Sequence, residues 1–472
     1  MFLWAHLLSD TNSGEPSPVV LYGHKQNDII GCMLGCGLAH RPYVPIDTST
    51  PADRVSAIIQ ELKPELIVDF TGVLPEMGRA VFRPEDITKL LHGSIEAESD
   101  LTISPETNND ILYILFTSGS TGNPKGVQIT HKNLHTYLEG IDPYFYMGDA
   151  PLVVLNSLAY SFDGSVGYLY PALYNGYTLY SVERNAFDNL NALFSELRES
   201  NINIVMTTPS VMAICASSTR FGRQVLPHMA KFISCGETLP NELARILKTR
   251  FGGLEIINTY GPTETTVVVA GLSITDEMIN ADRPLPVGRA FSGAKLRIAG
   301  KDGHGLPNGE QGEIQIIGEF IGAGYHNNPE MTNKVFFTEI NSGEKGYRTG
   351  DIGYMENDTL YFCYRDDFQI KMHGYRIELG DIENNFLRIG RVSRVAVVPV
   401  QKDGAVQYLT AFVELSERIE STDIREISAL KKELGRYIAN YMIPNKIIIK
   451  DKLPINSSGK TDRKTLAAEL IK

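Results

Sequence analysis

Short runs rich in Val, Ile, Leu and Tyr alternate with segments of helical periodicity along most of the chain, the pattern of α/β units around buried sheets. Pro18 to Gly23 reads as a first strand, Ile29 to Ala39 as a helical segment behind it, and Pro42 to Asp47 as a second strand leading into the turn-rich stretch Thr48 to Asp53. Glu65 to Asp69 and Ile111 to Thr117 follow as strands, with a polar, acidic stretch between them. Leu152 to Asn156, Ile204 to Thr208, Lys231 to Ser234 and Glu255 to Thr259 each end in a loop carrying unusual polar residues. Ligands of open α/β sheets bind at such strand ends, so the chemistry is expected there. From about Asp358 the texture changes to short strands and two amphipathic helices. One of these carries Ile427, Leu430, Leu434, Tyr437, Ile438 and Tyr441 at the spacing of a single helix face. The expected fold is α/β: a large N-terminal multi-sheet α/β domain over residues 1–366 and a small, mobile α+β C-terminal domain over 367–472, with the hinge at the charged run Arg365, Asp366, Asp367. The chain opens almost on a strand, so the large domain is expected to be short at its N-terminus.

A chain of 472 residues is long for one domain and fits about two to four units. At 43% hydrophobic and 21% charged it can bury a large core and is not a disordered chain. Its 44 basic against 56 acidic residues give a net charge of -12, which excludes a sequence-independent grip on nucleic acid, so no nucleic-acid partner is expected. Any phosphate must be held locally. Five cysteines do not make a disulfide scaffold in so long a chain, and Cys32 with Cys36 lacks a second Cys/His pair for zinc. A reducing cytoplasm fits best. The apolar start, Met1 to Leu8, has no basic flank, and no window reaches the ~18 apolar residues of a membrane span, so neither secretion nor an integral membrane segment is expected.

Thr117-Ser118-Gly119-Ser120-Thr121-Gly122-Asn123-Pro124-Lys125-Gly126 directly follows a strand and packs three glycines, four hydroxyl residues and a lysine into ten positions. Such a loop can offer backbone N–H groups, hydroxyls and one cation to a triphosphate. Its glycine spacing is not that of a Walker P-loop. By composition alone it could equally be a solvated Gly/Ser loop. The string resembles the phosphate loop of the adenylate-forming (AMP-binding) superfamily. Five further segments resemble that family in the expected order: Asn258-Thr259-Tyr260-Gly261-Pro262-Thr263-Glu264-Thr265, Tyr347-Arg348-Thr349-Gly350-Asp351, Arg365-Asp366-Asp367-Phe368-Gln369-Ile370-Lys371, Gly374-Tyr375-Arg376-Ile377-Glu378 and Asn456-Ser457-Ser458-Gly459-Lys460. Chance does not explain six ordered matches from residue 117 to residue 460.

The resemblance implies that a carboxylate attacks the α-phosphate of ATP to give an acyl-adenylate and pyrophosphate, with catalysis resting on positioning and charge neutralisation. It implies ATP and Mg²⁺ as the small-molecule requirements. Thr117, Ser118, Gly119, Ser120, Thr121, Gly122 and Lys125 would hold phosphates. Asn258, Thr259 and Tyr260 would hold the adenine, Asp351 the ribose hydroxyls, and Glu264 the Mg²⁺. Lys460 would be the catalytic cation, reaching the α-phosphate and the substrate carboxylate from the small domain. Asp367 would be the hinge aspartate and Arg365 its companion. Taken singly, Glu264 could be a solvated turn acid, Tyr260 a core tyrosine and Lys460 an exposed lysine.

Ser161-Phe162-Asp163 resembles the segment in which amino-acid-activating members set an aspartate against the substrate ammonium; alone, Asp163 could be a helix cap. Cys235-Gly236-Glu237-Thr238-Leu239-Pro240-Asn241-Glu242, Leu285-Pro286-Val287-Gly288 and Tyr441-Met442-Ile443-Pro444 resemble the branch that loads D-alanine onto the phosphopantetheine thiol of a small carrier protein for teichoic acid modification. In that branch a cysteine at the Cys235 position lines the alanine pocket and helps to choose the enantiomer. The chain departs from the branch at Gly164 and Gly167, where bulky apolar residues are usual. The two glycines leave open a pocket for a larger amino acid, as in a stand-alone adenylation domain of nonribosomal peptide type. A noncatalytic nucleotide-binding scaffold is the remaining alternative.

Overall fold

Parallel strands with side chains packed on both faces need near-continuous apolar sequence, and β1 (Val19–Gly23), β2 (Tyr43–Asp47) and β3 (Leu66–Asp69) are buried at every position. The computed structural model describes residues 4–5, 8, 17–74, 80–92, 108–117, 124–340, 342–365, 369–372, 374–402, 405–416, 424–454 and 461–470. The chain forms two compact units, one of Met1–Thr48, Glu61–Phe116 and Gly126–Asp366, the other of Ser49–Gln60, Thr117–Lys125 and Asp367–Lys472. Two short segments that an undivided 1–366 domain would contain therefore group with the second unit.

In the first unit, β1 to β3 continue through β4 (Ala80–Phe82), β5 (Ile111–Thr117) and β6 (Lys125–Thr130) into one sheet. A second seven-stranded sheet contains β7 (Val153–Asn156), β8 (Thr178–Ser181), β9 (Ile204–Thr207), β10 (Lys231–Ser234), β11 (Glu255–Tyr260), β12 (Ala270–Ser273) and β13 (Arg289–Ala290). Its order is β13-β12-β11-β10-β9-β7-β8, with β8, β7, β9, β10 and β11 parallel. Of these, β7, β9, β10 and β11 lie within a residue or two of the expected apolar runs, whereas β8, which is half-exposed, was not expected. The helix Asn27–Leu38 likewise covers the segment expected near Ile29 to Ala39.

A third, antiparallel sheet is the main element that the apolar pattern did not reveal. It contains β14 (Ala294–Ala299) and β15 (Gly312–Gly318), then, beyond β16 (Gly324–Tyr325), which edges the first sheet, β17 (Phe336–Thr338), β18 (Lys345–Glu356) and β19 (Thr359–Arg365). The change of texture thus comes at about Ala294, well before Asp358. Its longest strand reads KGYRTGDIGYME, in which buried Thr349, Asp351 and Gly353 alternate with half-buried Gly350, Ile352 and Tyr354, so polar residues and glycine take buried positions and no apolar run forms.

The second unit contains the hairpin β20 (Gln369–Met372) and β21 (Tyr375–Glu378), and a sheet of β22 (Val392–Lys402), β23 (Ala405–Leu415) and β24 (Lys446–Ile449). Its core includes Ile377, Ile382, Phe386, Leu409, Leu430 and Leu434. The apolar face expected to run from Ile427 to Tyr441 is not one helix. Helix Ile424–Leu434 stops before Gly435, whose N–H bonds the Lys431 carbonyl at 3.0 Å, and Asn440–Met442 is a separate short turn. Tyr441 is half-buried and stacks on Tyr375, with ring centroids 3.6 Å apart.

The turn at Gly288 permits a close backbone crossing. Its φ is +117°, and a Cβ there would stand 2.3 Å from the Gly271 carbonyl carbon. Replacing Gly288 by Ala is expected to lower unfolding free energy by about 3 kcal/mol, read as a fall in the urea midpoint at unchanged slope.

Candidate active site

The register of the second sheet brings Thr207, Ser234 and Asn258 abreast on β9, β10 and β11. Paired residues of parallel strands point to one face, so their polar side chains form a row. Among the described residues, Thr207 Oγ1, Ser234 Oγ and Asn258 Oδ1 are all buried without a hydrogen-bond partner, as are Ser157 Oγ just past β7 and Thr208 Oγ1 just past β9. Asn258 donates its amide N–H to the Pro286 carbonyl at 2.8 Å, which leaves Oδ1 as a free acceptor. The Thr259 hydroxyl is committed elsewhere, donating to the Ser234 carbonyl at 2.7 Å. Of this row only Asn258 was singled out in the sequence. The others are common residue types whose only signal was that each closes an expected strand.

Past β11 the chain supplies a charged group. The Tyr260 hydroxyl donates to Asp351 Oδ2 at 2.6 Å, and Arg365 Nη1 donates to Asp351 Oδ1 at 2.6 Å. Arg365 Nη2 also reaches the Thr349 carbonyl at 3.0 Å. Burial first, then the Asp351 charge, pushes the Tyr260 phenol well above its usual range, so it stays a donor. Tyr260, Asp351 and Arg365 therefore come together as one hydrogen-bonded group.

Glu264 sits in the short turn Thr263–Thr265, fully buried, and accepts from the Tyr325 hydroxyl at 2.7 Å. Among the described residues no cluster of three or more His, Cys, Asp or Glu could hold a metal ion alone. A single carboxylate still suits Mg²⁺, which commonly takes one or two carboxylates and completes its shell with phosphate oxygens and water. Immediately downstream, Thr266 and Val267 have φ of 58° and 70°. Left-handed backbone at β-branched residues costs about 1 to 3 kcal/mol each and gathers at functional sites.

Asp163 begins the helix Asp163–Tyr174, and its Oδ2 accepts from the Thr263 hydroxyl at 2.6 Å. Cys235 follows β10 and is buried. Both lie close enough to Tyr137 to act on its hydroxyl. Burial pushes that phenol well up, and the neighbouring Cys235 and Asp163 push it further. Tyr113, whose buried hydroxyl has no partner among the described residues, is raised by burial and then by the Asp163 charge. The two glycines behind Asp163 do not open extra volume. A Cβ on Gly164 would lie 2.7 Å from Phe162 Cε1 and 2.9 Å from Leu158 Cδ1. One on Gly167 would lie 2.7 Å from Met206 Cε and 3.1 Å from Val267 Cγ1.

Thr117, at the end of β5, has a buried Oγ1 with no partner among the described residues. Lys125 Nζ lies 3.4 Å from Glu378 Oε1, both in the second unit. Ser118, Gly119, Ser120, Thr121, Gly122, Asp367 and Lys460 lie outside the described residues.

Residues 4–326 match the AMP-binding enzyme family, and residues 381–460 match its C-terminal domain. The chain is 39% identical over 466 residues to a D-alanine–D-alanyl carrier protein ligase of Bacillus cereus (strain AH187), covering 99% of this chain and 92% of that one. It is 40% identical over 470 residues to the protein of the same name from Bacillus cytotoxicus, again covering 99% and 92%. In fold it is similar to the Vibrio cholerae adenylation domain AlmE, solved in complex with glycyl-adenosine-5'-phosphate, with a TM-score of 0.83 at 23% identity over 99% of this chain and 91% of that one. With the strand-end row, the Tyr260, Asp351 and Arg365 group and the ordered motifs all in one chain, the protein belongs to the AMP-binding enzyme family.

Proposed function

We propose that this protein activates D-alanine with ATP, forming an aminoacyl-adenylate and pyrophosphate, and passes the alanyl group to the phosphopantetheine thiol of a carrier protein. The observation that carries the reading is the filled space beside Asp163. Leu158 and Phe162 occupy the room next to Gly164, and Met206 and Val267 the room next to Gly167, so neither glycine leaves its own side-chain space open to a larger amino acid. The relatives named as D-alanine–D-alanyl carrier protein ligases support the same choice. The reading as an adenylation domain for a larger amino acid needed those two glycines to stand open.

In this proposal Asp163 pairs with the substrate ammonium, a contact worth most where water is excluded, and Cys235 closes the pocket and selects the enantiomer. The free acceptor Asn258 Oδ1 suits the donating amino group of adenine, against the ring of Tyr260 and the strand at Thr259. Asp351 receives the ribose hydroxyls on the lone pairs that Tyr260 and Arg365 leave, since each carboxylate oxygen accepts more than one bond. Thr117, Ser118, Gly119, Ser120, Thr121, Gly122 and Lys125 hold the phosphates. Glu264 would hold Mg²⁺, which when bound neutralises phosphate charge. Lys460 stabilises the charge that develops at the α-phosphate as the substrate carboxylate attacks. Asp367 is the hinge on which the small domain, 367–472, turns against the large domain, 1–366, between adenylation and thiol transfer. We place the enzyme in the cytoplasm, where cysteines that form no disulfide would persist. Among the described residues no helix is long and apolar enough to cross a membrane.

Amino-acid-dependent ATP/pyrophosphate exchange across both enantiomers of a panel tests the reading: D-alanine should give the highest kcat/KM. A bulky amino acid preferred by more than about tenfold would overturn it. Met206→Ala should open the pocket and move the preference toward a larger side chain, by about 1 to 3 kcal/mol per methylene accommodated. Asp163→Ala should remove roughly 3 to 5 kcal/mol of transition-state binding, or about two to four decades in kcat/KM for the amino acid, with ATP affinity nearly unchanged. Lys460→Ala should abolish adenylate formation while leaving nucleotide binding within about threefold, and preformed alanyl-adenylate should bypass the defect in a thiol-transfer assay.

A further inference from the structure

Lys25, just past β1, is a buried cation with no part in the chemistry above. Its Nζ donates to Asn156 Oδ1 at 2.6 Å and to the Leu158 carbonyl at 2.5 Å, and stands 4.1 Å from the centre of the Tyr160 ring. The same two oxygens are approached from the other side. Tyr168, on the helix that begins with Asp163, places its hydroxyl 2.9 Å from Asn156 Oδ1 and 3.1 Å from the Leu158 carbonyl, and accepts the Leu158 N–H at 3.0 Å. The amide of Asn156 donates onward to the Tyr160 hydroxyl at 2.8 Å. Cation and tyrosine thus close on one pair of acceptors and tie the end of β7 to the helix.

The segment between them forms the pocket wall. Leu158 and Phe162 fill the space beside Gly164. The Phe162 N–H bonds the Ala159 carbonyl, and the Phe162 carbonyl accepts from both the N–H and the hydroxyl of Ser165. Asp163 is the next residue after Phe162. We propose that Lys25 is a positioning residue for the amino-acid substrate: its ammonium fixes the segment Asn156–Phe162, and through it the start of the helix that holds Asp163 against Thr263. The inference rests on the reading of Asp163 as the partner of the substrate ammonium. A lysine suits the task because one point charge can serve several acceptors. An apolar side chain of the same length would leave both oxygens to a single tyrosine hydroxyl.

The charge on Lys25 is set by competing groups. Burial lowers its pKa from 10.5 to about 7, against the pull of Asp47 at the end of β2 and of Glu183 beyond β8. His24 stands among these carboxylates, with Nδ1 2.5 Å from Asp47 Oδ2 and Nε2 3.7 Å from Glu183 Oε2. Two effects of opposite sign follow. Substrate positioning depends on the ammonium, so it is complete below about pH 7 and fades above it. Stability runs the other way: between about pH 7 and the unfolded value near 10.4 the unfolded chain holds more protons, so unfolding free energy rises with pH.

The test uses the full chain and the variants Lys25→Met and Lys25→Arg. In ATP/pyrophosphate exchange Lys25→Met should raise the amino-acid KM by about ten- to a hundredfold while the ATP KM stays within about twofold. The wild-type amino-acid KM should climb as pH passes through about 7 toward 9, Lys25→Met should lose that climb, and Lys25→Arg, which keeps its charge, should hold a low KM further into alkali. Hydrogen exchange on the ligand-free proteins should show faster amides from Leu158 to Ser165 in Lys25→Met than in the wild type. Exchange with no amino acid by the wild type would sink the functional reading and leave the amide rates to decide whether Lys25 fixes this segment. An active wild type whose two KM values move together in Lys25→Met, or unchanged amide rates, would overturn the positioning role. Should Lys25→Met fail to fold, the pH shift in Lys25→Arg decides.

Discussion

An unpartnered polar atom inside a folded chain costs about 1 to 3 kcal/mol, and the second sheet carries at one end a set of atoms without a partner among the described residues: those of Ser157, Thr207, Thr208, Ser234 and Asn258. Their position follows from how the sheet is built. Strands β7, β9, β10 and β11 are almost wholly buried, so polar side chains can enter only where the strands stop and the chain turns. The register then lines up three of these ends, and the helices and turns that leave them start beside the same space. Asp163, Cys235 and Glu264 all lie within a few residues of such an end or of a turn leading from one. A ligand that supplies donors to these atoms recovers free energy that folding leaves unspent.

The same scarcity of solvent governs the charges. Asp351 is buried and is held on both oxygens, by a phenol and by a guanidinium, so its charge is balanced before any ligand arrives. Removing one partner would leave a buried charge uncompensated, which costs more than the pair itself contributes. Lys25 is balanced less completely. Its hydrogen bonds go to neutral oxygens, and its carboxylate neighbours do not fully offset burial. Lys25 therefore titrates near neutrality.

The legibility of the sequence followed the period of each element. The buried parallel strands could be placed to within a residue or two because they are continuous apolar runs between turn signals, whereas the half-exposed β4 and β8 were not read. The antiparallel sheet from β14 to β19 was not legible, because strands such as Lys345–Glu356 mix glycine, charge and half-buried positions. The residues of the site were found through ordered motifs, and the structure brings Tyr260, Asp351 and Arg365 into one group. It does not describe Lys460, Asp367 or the phosphate loop from Ser118 to Gly122. Lys25 gave no signal at all: a lysine after a strand reads as solvated, and only the topology sets it beside Asn156 and Leu158.

Pocket volume was the hardest property to read, and the reason is physical. A glycine reports only that its own side chain is absent, while the space beside it depends on which neighbours reach in. At Gly167 those neighbours are Met206, from the adjacent strand β9, and Val267, whose left-handed backbone directs Cγ1 at the helix. Two consecutive β-branched residues at positive φ are costly, and such strain persists only where surrounding packing fixes it. Here the Thr266 hydroxyl is anchored on the Phe320 carbonyl at 2.8 Å. Volume removed from the helix is thus returned by the strand and by a strained turn, a conserved-volume exchange of the kind that cores tolerate best. A side chain restored at position 167 alone would overpack against Met206 and Val267, so the glycine matches neighbours that already fill its side-chain space.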